Sequence, residues 1–147
     1  MEYYLDNAAT TAPIPAARAA AERAMDDFGN PGSLHAPGRR ARALLEESRA
    51  AVAAALGTEP ACITFTSGGT ESINTAIRCG ARKNHHLGRQ LVSTQIEHDA
   101  TLNTLKDLRQ QGWEVALVPP EWDGRVMLRS LQAALRPDTA LVSVMGV

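Results

Sequence analysis

Two glycines and three hydroxyl side chains meet in Ser67-Gly68-Gly69-Thr70-Glu71-Ser72. An apolar run with strand character, Cys62-Ile63-Thr64-Phe65-Thr66, leads into it. Ile73, Ala76, Ile77, Gly80 and Ala81 follow at i, i+3, i+4, i+7, i+8, the spacing of one helix face. A turn of this kind leaves backbone N–H groups free at the positive end of a helix dipole, where a phosphate can be held. Gly68 and Gly69 allow close backbone approach, and Thr70 adds a hydroxyl donor. The turn lacks both the lysine-bearing P-loop pattern and G-x-G-x-x-G, so the common nucleotide-binding motifs do not apply. A plain tight turn with a Ser/Thr cap uses the same residue types, and this motif alone leaves both readings open.

Glu97-His98-Asp99 is the second candidate. It follows a strand-like run ending at Thr94 and starts a helical pattern, so a parallel sheet would carry His98 to its C-terminal edge, where ligands collect. An imidazole there can stack on a flat cofactor or move a proton; a surface histidine beside a helix cap fits the same position. Asp6-Asn7-Ala8-Ala9-Thr10-Thr11 and Asn30-Pro31-Gly32-Ser33-Leu34-His35 are polar loops able to meet a ligand or simply to turn. His85-His86 lies among Lys, Asn and Gly with no third metal ligand in view and reads as a solvated loop. Cys62 and Cys79 match no C-x-x-C pattern, and Trp113 and Trp122 read as packing residues.

These groups need a scaffold, and the rest of the sequence describes one. Helices are expected near 15–27, 39–56, 70–83, 99–110 and 128–135, with strands at 62–66, 90–94, 114–118 and 140–145. Leu44, Leu45, Ser48, Val52 and Leu56 form the apolar stripe of the second helix, and Gly57 is its stop. Leu102, Leu105 and Leu108 mark the buried side of the fourth. Strand and helix alternating after residue 57 imply an α/β fold with a mostly parallel sheet and crossover helices.

The 147 residues are enough for one core; 44% are hydrophobic and 21% charged, and the net charge is −1. No basic patch calls for nucleic acid, and no apolar run is long enough for a membrane. Two separated cysteines and an N-terminus without signal-peptide blocks fit a reduced, cytoplasmic setting.

Taken in order, Leu5-Asp6-Asn7-Ala8-Ala9-Thr10-Thr11, Asn30-Pro31-x-Ser33-x-His35, Phe65-Thr66-Ser67-Gly68-Gly69-Thr70-Glu71-Ser72 and Glu97-His98-x-Ala100 resemble the N-terminal half of cysteine desulfurases. These are pyridoxal-phosphate enzymes of the class V aminotransferase-like group, and the resemblance runs from Tyr4 to Val147. It implies a fold type I large domain: residues 1–57 as an N-terminal extended segment with helices, and 58–147 as the first part of the cofactor-binding α/β domain. By resemblance, Gly69 and Thr70 bind the phosphate of pyridoxal phosphate, and His98 stacks on its ring and assists proton transfer. Asn7 and His35 belong to loops bordering the active site or the dimer contact. Gly32 stands where the family often carries Ser.

The implied reaction converts L-cysteine to L-alanine and a protein persulfide. The sulfur then passes to an iron–sulfur scaffold or a tRNA-thiolation protein, and the complete enzyme is a homodimer. Family members are more than twice as long. Their cofactor-binding lysine, ring-nitrogen aspartate, persulfide cysteine and carboxylate-binding arginine have no counterpart here, since Lys83 and Lys106 sit away from the phosphate turn and His98. Leu141-Val142-Ser143-Val144-Met145-Gly146-Val147 reads as a buried strand, so a chain continuing past Val147 is expected, inactive in this portion alone. Selenocysteine lyase and other class V enzymes share these motifs, and a non-catalytic module that dimerises with a full-length relative is a different class of answer.

Overall fold

A computed structural model describes residues 3–146, which form two units parting between Thr64 and Phe65. In the first unit, α1 (Pro15–Asp26) starts with Pro15 in a first turn that has no use for an N–H, and none of its residues is buried. α2 (Ala36–Leu56) opens at His35, whose Nδ1 accepts from the Gly38 N–H at 3.3 Å. It closes at Gly57, which takes the left-handed conformation (φ 66°) that the stop requires.

The stripe expected on α2 is not the one covered. Leu44, Val52 and Leu56 are exposed. Gly38 and Ala53 are buried, with Ala41, Leu45 and Arg49 half-buried between them. Arg49 decides this. Its Nη1 donates to the Ile63 carbonyl at 2.6 Å, bringing the chain back along the row spaced every four residues. The same contact removes the strand expected at 62–66. Pro60–Cys62 is a single 3-10 turn, and residues 63–66 join no sheet, because Arg49 rather than a neighbouring strand takes the Ile63 carbonyl.

The second unit is built on alternation: α3 (Gly69–Lys83), β1 (Gln90–Thr94), α4 (Asp99–Gln110), β2 (Glu114–Val118), α5 (Leu128–Ala134) and β3 (Thr139–Val142). The sheet is parallel throughout, in the order β2-β1-β3. β1 pairs residue for residue from Gln90↔Glu114 to Thr94↔Val118 on one side, and Leu91↔Leu141 and Val92↔Val142 on the other after a slip next to Gln90. All five β1 residues are buried. Their polar members are satisfied: Gln90 Nε2 donates to the Ala134 carbonyl and Ser93 Oγ to the Ser143 carbonyl.

Ile77, Ala81, Leu91, Leu105, Leu108 and Ala140 form the core. Leu102, expected among them, is only half-buried, and Ile73, Trp113, Val115, Leu117 and Leu141 are the partly buried residues packed against the core instead. α3 lies so near β3 that a Cβ on Gly80 would meet Leu141 Cδ1 at 3.2 Å. Thr104 Oγ1 donates to Asn74 Oδ1 at 2.7 Å, and Arg78 pairs with Asp107 at 2.6 Å, tying α3 to α4. Leu105→Ala is expected to cost about 2–5 kcal/mol. Leu44→Ala, on an exposed face, should stay within about 0.5 kcal/mol. Urea unfolding followed by circular dichroism measures both.

Candidate functional site

The connection from β1 goes to β2 on one side, and the next crosses back to β3 on the other. At such a reversal the connecting segments diverge and leave a crevice beyond the strands' C-terminal ends. Thr94 ends β1 at that crevice, and Glu97 and His98 follow directly.

α3 presents its N-terminus there. No side chain caps it at Gly68, so helix geometry leaves the Gly69, Thr70 and Glu71 N–H groups without intrahelical partners. A Cβ built on Gly68 or Gly69 would meet nothing within 4 Å, so the approach is open. The turn is nonetheless ordered. Glu71 Oε2 accepts from the Ser67 N–H at 2.6 Å and the Ser67 hydroxyl at 2.7 Å, and Thr66 Oγ1 meets Ser72 Oγ at 2.7 Å. The two Ser67 bonds, the hydroxyl's foremost, hold the Glu71 carboxyl below the usual range.

His98 is the N-cap of α4: its Nδ1 accepts from the Ala100 N–H at 3.0 Å. That bond leaves Nδ1 unprotonated and Nε2 as the nitrogen available to a ligand or proton. His98 is exposed and lines two cavities. One, of about 330 Å³, is shared with the polar residues Thr70, Asn74, Arg78 and Asn103. The other, of about 350 Å³, is apolar and lined by Ile73, Ala76, Ile77, Val144 and Met145, with Glu97 at its wall.

The structure thus brings Thr70 and His98 to one cavity, with Gly69 beside Thr70 in the first turn of α3. Asn7 and His35 lie in the first unit. Asn7 is exposed in a turn held by Asp6, and the His35 ring is spent on capping α2. Glu97 was legible only as the neighbour of His98. It is buried, and its Oε1 accepts from Thr94 Oγ1 and from the Met145 N–H, both at 2.8 Å. An acidic residue just past the end of a strand-like run was the available signal.

Pyridoxal phosphate asks a site for anion-binding N–H groups, a flat contact for its ring and a lysine for its aldehyde. The α3 N-terminus and His98 suit the first two. The third is not met by this chain's lysines. Lys83 lies about 20 Å along α3 from Thr70, and Lys106 about 12 Å along α4 from His98, at ~1.5 Å per residue. Among the described residues no cluster suits a metal ion, and no helix is long and apolar enough to cross a membrane.

The family model for aminotransferase class-V matches residues 3–147. The chain belongs to that family. A NifS/IcsS protein homolog of Lactobacillus delbrueckii subsp. bulgaricus is 44% identical over 98% of this chain and 38% of its own length. The putative cysteine desulfurase IscS 1 of Bacillus subtilis is 40% identical over 97% and 38%. Among solved structures, a NifS-like protein superposes with a TM-score of 0.88 at 38% identity, over 99% of this chain and 40% of that one. SspA in complex with cysteine gives 0.82 at 31% identity, over 96% and 41%. This class V chain therefore has the α/β fold of NifS-like enzymes and spans about two fifths of their length. Members of the family are in general pyridoxal-phosphate enzymes.

A lowered Glu71 pKa means stability present above the ordinary carboxylate value of ~4.3 and lost as pH falls through the folded value. Ser67→Ala should raise the Glu71 titration, followed by carboxyl-carbon NMR, toward the ordinary range. Glu71→Gln should flatten the acid limb of the urea midpoint between pH 7 and pH 3.

Proposed function

We propose that the whole protein is a cysteine desulfurase. It would convert L-cysteine to L-alanine and pass the sulfur, as a persulfide on an enzyme cysteine, to an iron–sulfur scaffold or a tRNA-thiolation protein. The observation that carries this reading is the uncapped N-terminus of α3 and the His98 ring on one cavity between α3 and α4, with His98 following directly from the C-terminal end of β1 where the chain order reverses. The desulfurase names of the relatives and the cysteine in the SspA structure support the substrate. The reaction balances: L-cysteine plus a thiol gives L-alanine plus a persulfide, the substrate C–S bond breaking as the S–S bond forms.

When bound, pyridoxal phosphate supplies the electron sink for the pair left at Cα when its proton departs. This chain's residues do the rest of what lies in reach. The Gly69 and Thr70 N–H groups, with the Thr70 hydroxyl, would hold the phosphate dianion at the positive helix end. His98 would offer its ring as the flat contact for the cofactor, and its Nε2 is where a proton would be held or moved. Asn7 and His35 border the pocket or the contact with a second subunit, in a homodimeric cytoplasmic enzyme. Cys62 and Cys79 are exposed thiols that match no nucleophile motif of the family, so the persulfide is assigned to neither.

The lysine positions make this 147-residue stretch a weak and reversible binder of pyridoxal phosphate. Borohydride treatment should leave no covalent adduct, and Thr70→Val should weaken binding roughly tenfold or more, the value of a hydrogen bond to a charged group. Absorbance titration and intact mass measure both. A trapped adduct at Lys83 or Lys106 accompanied by alanine production would overturn the assignment of these residues. A complete protein that releases selenium from selenocysteine but no sulfur from cysteine would make it a selenocysteine lyase.

A further inference from the structure

Glu97 is the one acidic side chain among the described residues that is buried, at 8% exposure. A carboxylate taken from water is costly unless hydrogen bonds compensate it. Here Oε1 receives two, from Thr94 Oγ1 at the end of β1 and from the Met145 N–H three residues beyond β3. The backbone ladder between these strands runs only to Val142. Past it the ties run to residue 143, where the Ser143 N–H donates to the Val92 carbonyl and Ser93 Oγ to the Ser143 carbonyl, and then to Glu97 and Met145. Residues 143–145 form one wall of the apolar cavity, and His98, adjacent to Glu97 in sequence, lines it too.

We propose that Glu97 is a positioning residue of the cofactor crevice: its carboxylate fastens the Met145 amide and so sets the 143–145 wall against the His98 turn. This rests on the cofactor reading given above. Two donors converging on a single oxygen favour a carboxylate, which only accepts and accepts strongly. The acceptor matters more than the charge, so an amide in its place retains most of the function.

The test uses the full-length protein with Glu97→Ala, Glu97→Asp and Glu97→Gln. Three quantities are read: amide exchange at Met145, the ring-nitrogen shifts of His98, and pyridoxal-phosphate affinity. Glu97→Ala should speed Met145 exchange about tenfold or more, move the His98 signals and weaken binding about tenfold, with the Leu91 and Leu105 amides unchanged. Glu97→Asp, which withdraws the oxygen by one methylene and is the gentler variant should Ala fail to fold, should act in the same direction. Glu97→Gln should restore all three to within about threefold. Met145 exchange unchanged in both Ala and Asp, or a Gln variant as impaired as Ala, overturns the clamp. Binding that survives Glu97→Ala while Met145 opens overturns the positioning role alone. A full-length wild-type protein with no affinity for pyridoxal phosphate removes the cofactor reading, and the positioning role with it, whatever Met145 does.

Discussion

The burial of β1 is the constraint on which the second unit depends. Five residues, three of them polar, are enclosed between two parallel neighbours and the packed helices, so every backbone group must find a ladder partner and every polar side chain a specific acceptor or donor. That requirement fixes the register with β2 and β3. It also places Leu91 under α3 and α4 and sends Gln90, Ser93 and Thr94 to named partners at the two ends of the sheet. The end at Thr94 becomes the crevice, because the chain order reverses there and the two connections diverge.

Charge and hydrogen bonding at that edge divide the work. Ser67 is taken by Glu71, the Ala100 N–H by His98, and the Met145 N–H by Glu97. Each closes a group that would otherwise compete for a ligand. What they leave is the first turn of α3, uncapped by any side chain and with open space around Gly68 and Gly69, and the Nε2 face of His98. An anion with a flat aromatic body suits that remainder, and the class V family, whose members in general use pyridoxal phosphate, is where such a remainder is expected.

Much of this was legible in the sequence where local signals agree. β1, α4 and β2 occupy the residues that the sequence pattern assigns to them, because Gly88, His98 and Gly112 punctuate segments of the right length. Sequence reasoning failed where a distant residue decides. Arg49 takes the Ile63 carbonyl 14 positions away, which turns an apolar, strand-like run into an unpaired segment and selects a different face of α2. The start of α2 at Ala36 rather than near 39 depends on the His35 ring acting as a cap. β3 ends at Val142 rather than 145: after one last backbone bond, from the Ser143 N–H to the Val92 carbonyl, the ties run to the Ser93 and Glu97 side chains. The partner of Glu97 lies 48 residues on, beyond any local pattern.

The most direct test of the account is a nitrogen–proton NMR titration of this chain with pyridoxal phosphate, mapping which signals move. The account predicts that the Gly69 and Thr70 amides and the His98 ring respond together and saturate at one concentration, with the Lys83 and Lys106 amides still. Saturable shifts centred elsewhere, or movement of the α3 amides without His98, would contradict it.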